Sequence, residues 1–144
     1  MSTLALEKIL ACAVKNGASD VHLTVGSPPA VRVDGAIRFI RDVDNLKPDD
    51  TLGFLDTLLT PEKKQKFLDS GDTDLAYSMA GLGRFRVNVM FQRGSVGIVM
   101  RHVRGKILDF GMLNLPPAME YVCRIPRGLV LVTGTTGSGK STTL

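Results

Sequence analysis

The chain has 144 residues, of which 44% are apolar and 22% charged, and its formal net charge is +4. Its length fits one ordinary domain, or one small domain with part of another. The composition is close to that of an average globular protein and excludes wholesale disorder, a collagen-like repeat and any run of about 18 apolar residues that could form a membrane-spanning helix.

The first two predicted elements are a helix and a strand. Apolar residues on one helical stripe predict a helix over residues 3–16, and Gly17 provides its C-terminal stop. The period then changes to two, which predicts a strand over residues 21–25. A Gly-Ser-Pro-Pro segment ends this strand.

A tight hairpin is predicted next. Apolar and polar residues alternate over 31–33, and Ile37 and Phe39 alternate with polar residues on the return strand. The dipeptide Asp34-Gly35 between the two segments suits a two-residue turn, because glycine accepts a positive φ.

Two short helices follow the hairpin. The first begins at Pro48 and carries a stripe of leucines. The second begins after Thr60, a good N-cap residue, with Pro61 in its first position, and it ends at Gly71.

From residue 73 the sequence returns to strand periodicity. A first strand leads to a glycine-rich turn at 81–83, the clearest alternation of the chain covers 85–91, and a further strand covers 96–103. The sequence therefore predicts an α+β fold, with helices on one face of a mostly antiparallel sheet.

Glycine and proline punctuate the segment that comes next, which predicts a linker. We place a first domain at 1–104, the linker at 105–116 and the beginning of a second domain at 117–144. In the second domain we expect a short helix around Ala118–Cys123. The continuously apolar run Leu129–Val132 predicts a parallel strand buried on both faces.

Charge is distributed unevenly between the two halves of the chain. Residues 73–144 hold nine Lys and Arg against three Asp and Glu, a net charge of +6, and seven of the nine cations are Arg. Guanidinium groups match phosphate and carboxylate geometry, so this half suits a polyanion such as a nucleotide phosphate or a nucleic acid. A solvated basic face is the alternative interpretation.

Directly after the apolar run, residues 134–141 spell the pattern G-x4-G-K-S. Glycines in such a loop let successive backbone N–H groups surround a β-phosphate, and the next helix adds its positive N-terminal end. Lys140 would reach the β- and γ-phosphates, and Ser141 would offer its hydroxyl to Mg²⁺. The predicted nucleotide-binding residues are Gly134, Thr135, Thr136, Gly137, Ser138, Gly139, Lys140, Ser141 and Thr142.

A nucleoside triphosphatase also needs a carboxylate for the metal and a group that orients the attacking water. Both would come from strands that follow Leu144, and residues 117–144 are too few to bury a strand of their own. We therefore expect the chain to be the front part of a longer protein and to be inactive as an ATPase by itself.

Four segments of the chain resemble the secretion and type IV pilus motor ATPases. Residues 130–144 are similar to the Walker A segment, or P-loop, of that superfamily. The segments 18–23 (ASDVHL), 28–35 (PPAVRVDG) and 83–88 (GRFRVN) are similar to its PilT-like retraction branch, the ATPases of twitching motility. One departure is Thr136, where the family commonly has proline.

The resemblance implies a PAS-like N-terminal domain, followed by the first strand and P-loop of a RecA-like α/β ATPase domain. It implies ATP and Mg²⁺ as ligands and a homo-hexameric motor ring that powers pilus retraction. It also implies an inner-membrane pilus platform protein as partner and a cytoplasmic location at the inner membrane. A pilus assembly or type II secretion ATPase, or a non-catalytic interaction module, remains the alternative.

Arginines form the second candidate site. Arg84 and Arg86 are two residues apart and so leave the face opposite the apolar side chains of their strand, while Arg101 lies on the next strand and Arg93 at the connecting turn. Guanidinium groups on one surface repel one another, so a bound anion would stabilise them. The resemblance predicts Arg86 and Arg101 as γ-phosphate sensors, which with Lys140 are the predicted catalytic residues. No aromatic platform accompanies them, so we expect no nucleic-acid binding.

Two remaining features have plainer interpretations. Asp20 and His22 share one strand face, but two ligands are too few for a metal site, so we predict a hydrogen-bonded pair at an interface. Cys12 and Cys123 lie far apart in apolar segments and are predicted to be buried thiols in a reducing compartment.

Overall fold

A computed structural model of the chain describes residues 6–103, 105, 109–135 and 138–144. The chain divides into two compact units, Met1–Gly105 and Lys106–Leu144. Thr136, Gly137 and part of the predicted linker lie outside the described residues.

Among the described residues, the first unit contains three helices and six strands, and the second contains two short helices. The helices are α1 (Leu6–Lys15), α2 (Pro48–Leu58), α3 (Pro61–Ser70), α4 (Ala118–Cys123) and α5 (Lys140–Thr143). The strands are β1 (Asp20–Thr24), β2 (Ala30–Val33), β3 (Ala36–Phe39), β4 (Asp72–Met79), β5 (Gly83–Gln92) and β6 (Ser95–Val103).

The six strands form one sheet in the order β3-β2-β1-β6-β5-β4, and every neighbouring pair is antiparallel. Hairpins build each half of the sheet, and the pairing of β1 with β6 joins the halves. At the predicted Asp34-Gly35 turn both residues have positive φ, 50° and 81°, as a two-residue type I′ hairpin turn requires. The predicted antiparallel sheet is confirmed.

All three helices of the first unit cover one face of this sheet. The core joins α1 and α2 to the inward side chains of β1, β5 and β6. Phe85, Val87 and Val89 are fully buried, whereas Phe91 is 44% exposed and stacks on Phe67 of α3 with 4.7 Å between ring centroids. The alternation predicted for β5 therefore does define the core face.

The predicted helix ends are also present. The Thr60 side chain accepts a hydrogen bond from the backbone N–H of Lys63 at the start of α3. Gly17 and Gly71 follow α1 and α3 with φ of 68° and 85°, a left-handed conformation that glycine adopts without strain.

Strand β3 presents its apolar side chains to the face that carries no helices. Ile37 and Phe39 are 55% and 60% exposed. The two-residue turn pairs them with Arg32 and Ala30 of β2, and Val31 of β2 already points into the core. Because paired residues share a face, Ile37 and Phe39 must lie on the other side.

In the second unit, the predicted short helix is confirmed as α4, but the predicted strand at Leu129–Val132 is not formed. Leu129 and Leu131 are 83% and 75% exposed. A strand needs a partner for its backbone groups, and no strand within residues 109–135 and 138–144 supplies one.

Cys12 is half-buried and Cys123 is exposed, so the prediction of a buried thiol is wrong for Cys123. None of the helices described is long and apolar enough to cross a bilayer.

Candidate functional site

The glycine-rich loop has backbone geometry that explains two of its glycines. Gly134 and Gly139 have φ of 152° and 91°, which side-chain-bearing residues rarely adopt. A Cβ at Gly134 would lie 2.5 Å from the hydroxyl oxygen of Ser138, so even alanine would displace the Ser138 side chain.

Lys140 is the first residue of α5, and its side chain folds back over this loop. Its Nζ donates hydrogen bonds to the backbone oxygens of Gly134 and Thr135, at 2.8 and 2.6 Å. The side chains of Ser141 and Thr142 are exposed. An ammonium group thus lies over the loop, and an exposed serine follows it in sequence, a combination that suits the phosphates of a nucleotide and their metal ion.

The other candidate site is a row of charged side chains on the sheet face that carries no helices. Register places Arg32 of β2, Asp20 of β1, Arg101 of β6 and Arg86 of β5 directly opposite one another in that order. Paired residues on antiparallel strands share a face, so four neighbouring strands contribute one residue each to this row.

Asp20 is the buried member of the row, with only 6% of its surface exposed. Arg101 Nε donates to Asp20 Oδ1 at 2.9 Å, and the hydroxyl of Ser19 donates to Oδ2 at 2.8 Å. Arg32 Nε lies 3.5 Å from Oδ2. Burial would raise the pKa of Asp20, but these donors and positive charges outweigh it and hold the pKa below its usual value.

Arg86 and Arg101 are exposed on adjacent strands at directly opposite positions. Like charges at such positions repel each other. Arg84, two residues along β5, is exposed on the same face, and together with Arg86 and Asp74 it lines an open hollow of about 360 Å³. Arg93 lies in the hairpin turn at the other end of β5, so the structure separates it from the other three.

His22 lies on the same face as Asp20, yet the predicted hydrogen bond between them is absent from the described part of the chain. Asp20 is bonded instead to Ser19 and Arg101, and the buried His22 Nε2 has no hydrogen-bond partner there. Burial lowers the pKa of His22, and the Arg32 charge adds to this effect against the opposing charge of Asp20. No group of three potential metal-ligating side chains occurs among the described residues.

Two contacts were not predicted from the sequence, one on each face of the sheet. For the Asp20–Arg101 ion pair, the sequence indicates only two residues of opposite charge at outward strand positions, because the pairing of β1 with β6 is not apparent from it. His102, for which no role was predicted, has Nε2 3.0 Å from the backbone oxygen of Leu82 and its ring 5.1 Å from that of Phe85. It therefore fixes the β4–β5 turn beside Arg84.

We expect Asp20→Asn to lower the free energy of unfolding of the 144-residue chain at pH 7 by about 1–2 kcal/mol, because it weakens hydrogen bonds to a charged group. Since the pKa of Asp20 is lowered on folding, its contribution is complete above the usual value of 3.8 and is lost as the pH falls below it. Denaturant unfolding at pH 7 and pH 3 measures both effects. The exposed Asp72→Asn is the control, and a parent–variant difference that is as large at pH 3 as at pH 7 would contradict the ion-pair assignment.

The sequence and the fold of the chain are both similar to those of known proteins. The family model described as type II/IV secretion system protein matches residues 2–144. The type IV pilus retraction ATPase PilT of Pseudomonas aeruginosa is 39% identical over 139 residues, which are 96% of this chain and 40% of PilT. The type IV pilus ATPase PilU of the same organism is 33% identical over 98% of this chain and 37% of PilU.

Among solved structures, the crystal structure of the pilus retraction motor PilT with bound ADP superimposes with a TM-score of 0.85 at 44% identity, covering 97% of this chain and 41% of that one. The chain thus spans about two fifths of the length of the relatives it matches.

Proposed function

The chain belongs to the type II/IV secretion system protein family, and from this membership we propose that it is part of an ATP-hydrolysing motor subunit that powers type IV pilus retraction. The observation that carries the proposal is the 39% identity to a retraction ATPase over 96% of the chain. The lysine and glycines of the loop at 134–141 supply the phosphate-binding groups that such a motor needs.

In this proposal the loop binds the phosphates of ATP. The ammonium of Lys140, which now donates to two loop carbonyl oxygens, exchanges them for β- and γ-phosphate oxygens. The exposed hydroxyl of Ser141 would hold Mg²⁺, which would supply positive charge next to the phosphoryl group being transferred. The remaining predicted residues of the loop donate backbone N–H groups.

Arg86 and Arg101 act in this proposal as γ-phosphate sensors. Two guanidinium groups held at opposite positions on adjacent strands repel each other in the absence of an anion and can each form paired hydrogen bonds to one. A phosphate that draws both groups toward the loop, and is released on hydrolysis, would couple the chemistry to a domain movement.

The same membership supports the domain assignment. Residues 1–104 form a PAS-like domain, 105–116 a linker, and 117–144 the beginning of a RecA-like ATPase domain. The exposed apolar residues at 129–131 favour this assignment, because neighbouring apolar side chains are normally covered. The motor is a homo-hexamer that works with a pilus platform protein at the cytoplasmic face of the inner membrane.

The proposal is tested by comparing the intact protein with the 144-residue chain. The intact protein should release phosphate from ATP over many turnovers and restore pilus retraction to cells that lack it. The 144-residue chain should do neither, because hydrolysis requires a metal-binding carboxylate and a water-orienting group that the loop does not contain. An intact protein that does not hydrolyse ATP would exclude the proposed motor function. Multiple turnovers by the 144-residue chain would show that hydrolysis needs no groups beyond those of this chain, which would contradict the proposal.

A further inference from the structure

The buried carboxylate of Asp20 contacts Arg101 in a way that leaves most of the guanidinium free. The hydrogen bond is made by Nε, the inner nitrogen of the group. The Arg101 side chain remains 71% exposed while that of Asp20 is 9% exposed. One end of the ion pair is therefore anchored within the sheet and the other end faces solvent.

We propose that Asp20 is a positioning residue, whose carboxylate holds the Nε edge of Arg101 so that the two terminal nitrogens of the guanidinium are aimed at a phosphate. This inference rests on the proposed function, in which Arg101 senses the γ-phosphate. It assigns to Asp20 no contact with the nucleotide itself.

Anchoring matters because a long exposed side chain must be ordered when it binds. An arginine on a strand surface samples many rotamers, and immobilising them opposes association. A bond at Nε restricts the dihedral angles of the side chain before a phosphate arrives. It also leaves the outer edge of the guanidinium, with its two parallel donors, for bidentate binding.

The surroundings of Asp20 keep it charged for this role. Arg32 Nε lies 3.5 Å from its second oxygen, and the terminal nitrogen of Arg32 donates to the backbone oxygen of Gly35 at 3.0 Å. Arg32 is thus tied to the β2–β3 hairpin. Asp20 retains a positive neighbour and the hydroxyl of Ser19 even when Arg101 adjusts to a ligand, and its lowered pKa agrees with a group that is ionised at neutral pH.

The test is a double-mutant cycle on ATP hydrolysis by the intact protein, using Asp20→Asn, Arg101→Ala and the double variant. We expect Asp20→Asn to lower kcat roughly tenfold, within the loss of up to about 10²-fold that a misplacement of about 1 Å can cause. In the Arg101→Ala background the same substitution should change kcat by less than about twofold, because Asp20 acts through Arg101. The control Asp72→Asn removes an equal charge from the same sheet face and should leave kcat unchanged.

Each outcome has one meaning. If Arg101→Ala leaves kcat unchanged, the phosphate-sensing role itself is wrong and the positioning role falls with it. If Arg101→Ala lowers kcat but Asp20→Asn does not, or if Asp20→Asn causes an equal further loss in the Arg101→Ala background, the positioning role alone is wrong.

A second variant covers the case in which Asp20→Asn does not fold. Asp20→Glu keeps the charge but moves the carboxylate outward by one methylene. It should fold, by circular dichroism, and still lower kcat severalfold. Parent activity in a folded Asp20→Glu variant would overturn the proposal.

Discussion

Replacing Lys140 by alanine in the intact protein should lower the rate of ATP hydrolysis by a factor of about 10²–10³, the usual loss when one charge-stabilising group is removed from a reaction centre. The Lys140 ammonium lies over the loop within 2.8 Å of two of its backbone oxygens. Alanine leaves no positive charge at this position to meet the β- and γ-phosphates. Phosphate release at saturating ATP measures the effect.

In cells, the same substitution should leave pilus assembly intact and stop retraction, so that surplus pili accumulate. The matched control is Lys66→Ala, which removes an exposed lysine from α3 and should behave as the parent. Normal twitching by the Lys140→Ala strain would refute the motor assignment.

The second large effect concerns Arg86 and Arg101. Changing either to lysine in the intact protein should lower kcat tenfold or more while the fold and the oligomer persist. Lysine keeps the charge but has a single ammonium, so it cannot bind a phosphate through two parallel donors. At Arg101 the loss has a second cause, because lysine has no Nε to bond Asp20 while its end group binds a ligand.

Steady-state kinetics with circular dichroism and gel filtration separate a catalytic loss from misfolding. Arg41→Lys, at an exposed turn position on the same unit, is the matched control and should retain parent kcat. If both sensor variants hydrolyse ATP at the parent rate, the sheet face that carries Arg86 and Arg101 is a solvated surface or a contact for another part of the pilus machinery.

Local chemistry accounts for what could be predicted about the fold. Hairpin turns, N-caps and glycine stops depend on a few neighbouring residues, and the positive φ values at Asp34, Gly35 and Gly71 agree with what those residues prefer. Periods of 3.6 and 2 distinguish helices from strands in the same local way. The strand predicted at Leu129–Val132 failed because a strand also needs a partner, which its own periodicity does not reveal.

The same distinction between local and long-range determinants applies to the candidate sites. By itself the sequence determined the glycine-lysine-serine loop, the family resemblance and the outward direction of Arg84 and Arg86, since each depends on contiguous residues or on strand alternation. Only the tertiary structure decided that Arg101 stands opposite Arg86, that its Nε bonds a buried Asp20 from the other half of the sheet, and that Ile37 and Phe39 face away from the core. The strand order and the register determine these contacts. Both depend on packing between segments that lie as far apart in the chain as Asp20 and Arg101, about eighty positions, so no single segment encodes them.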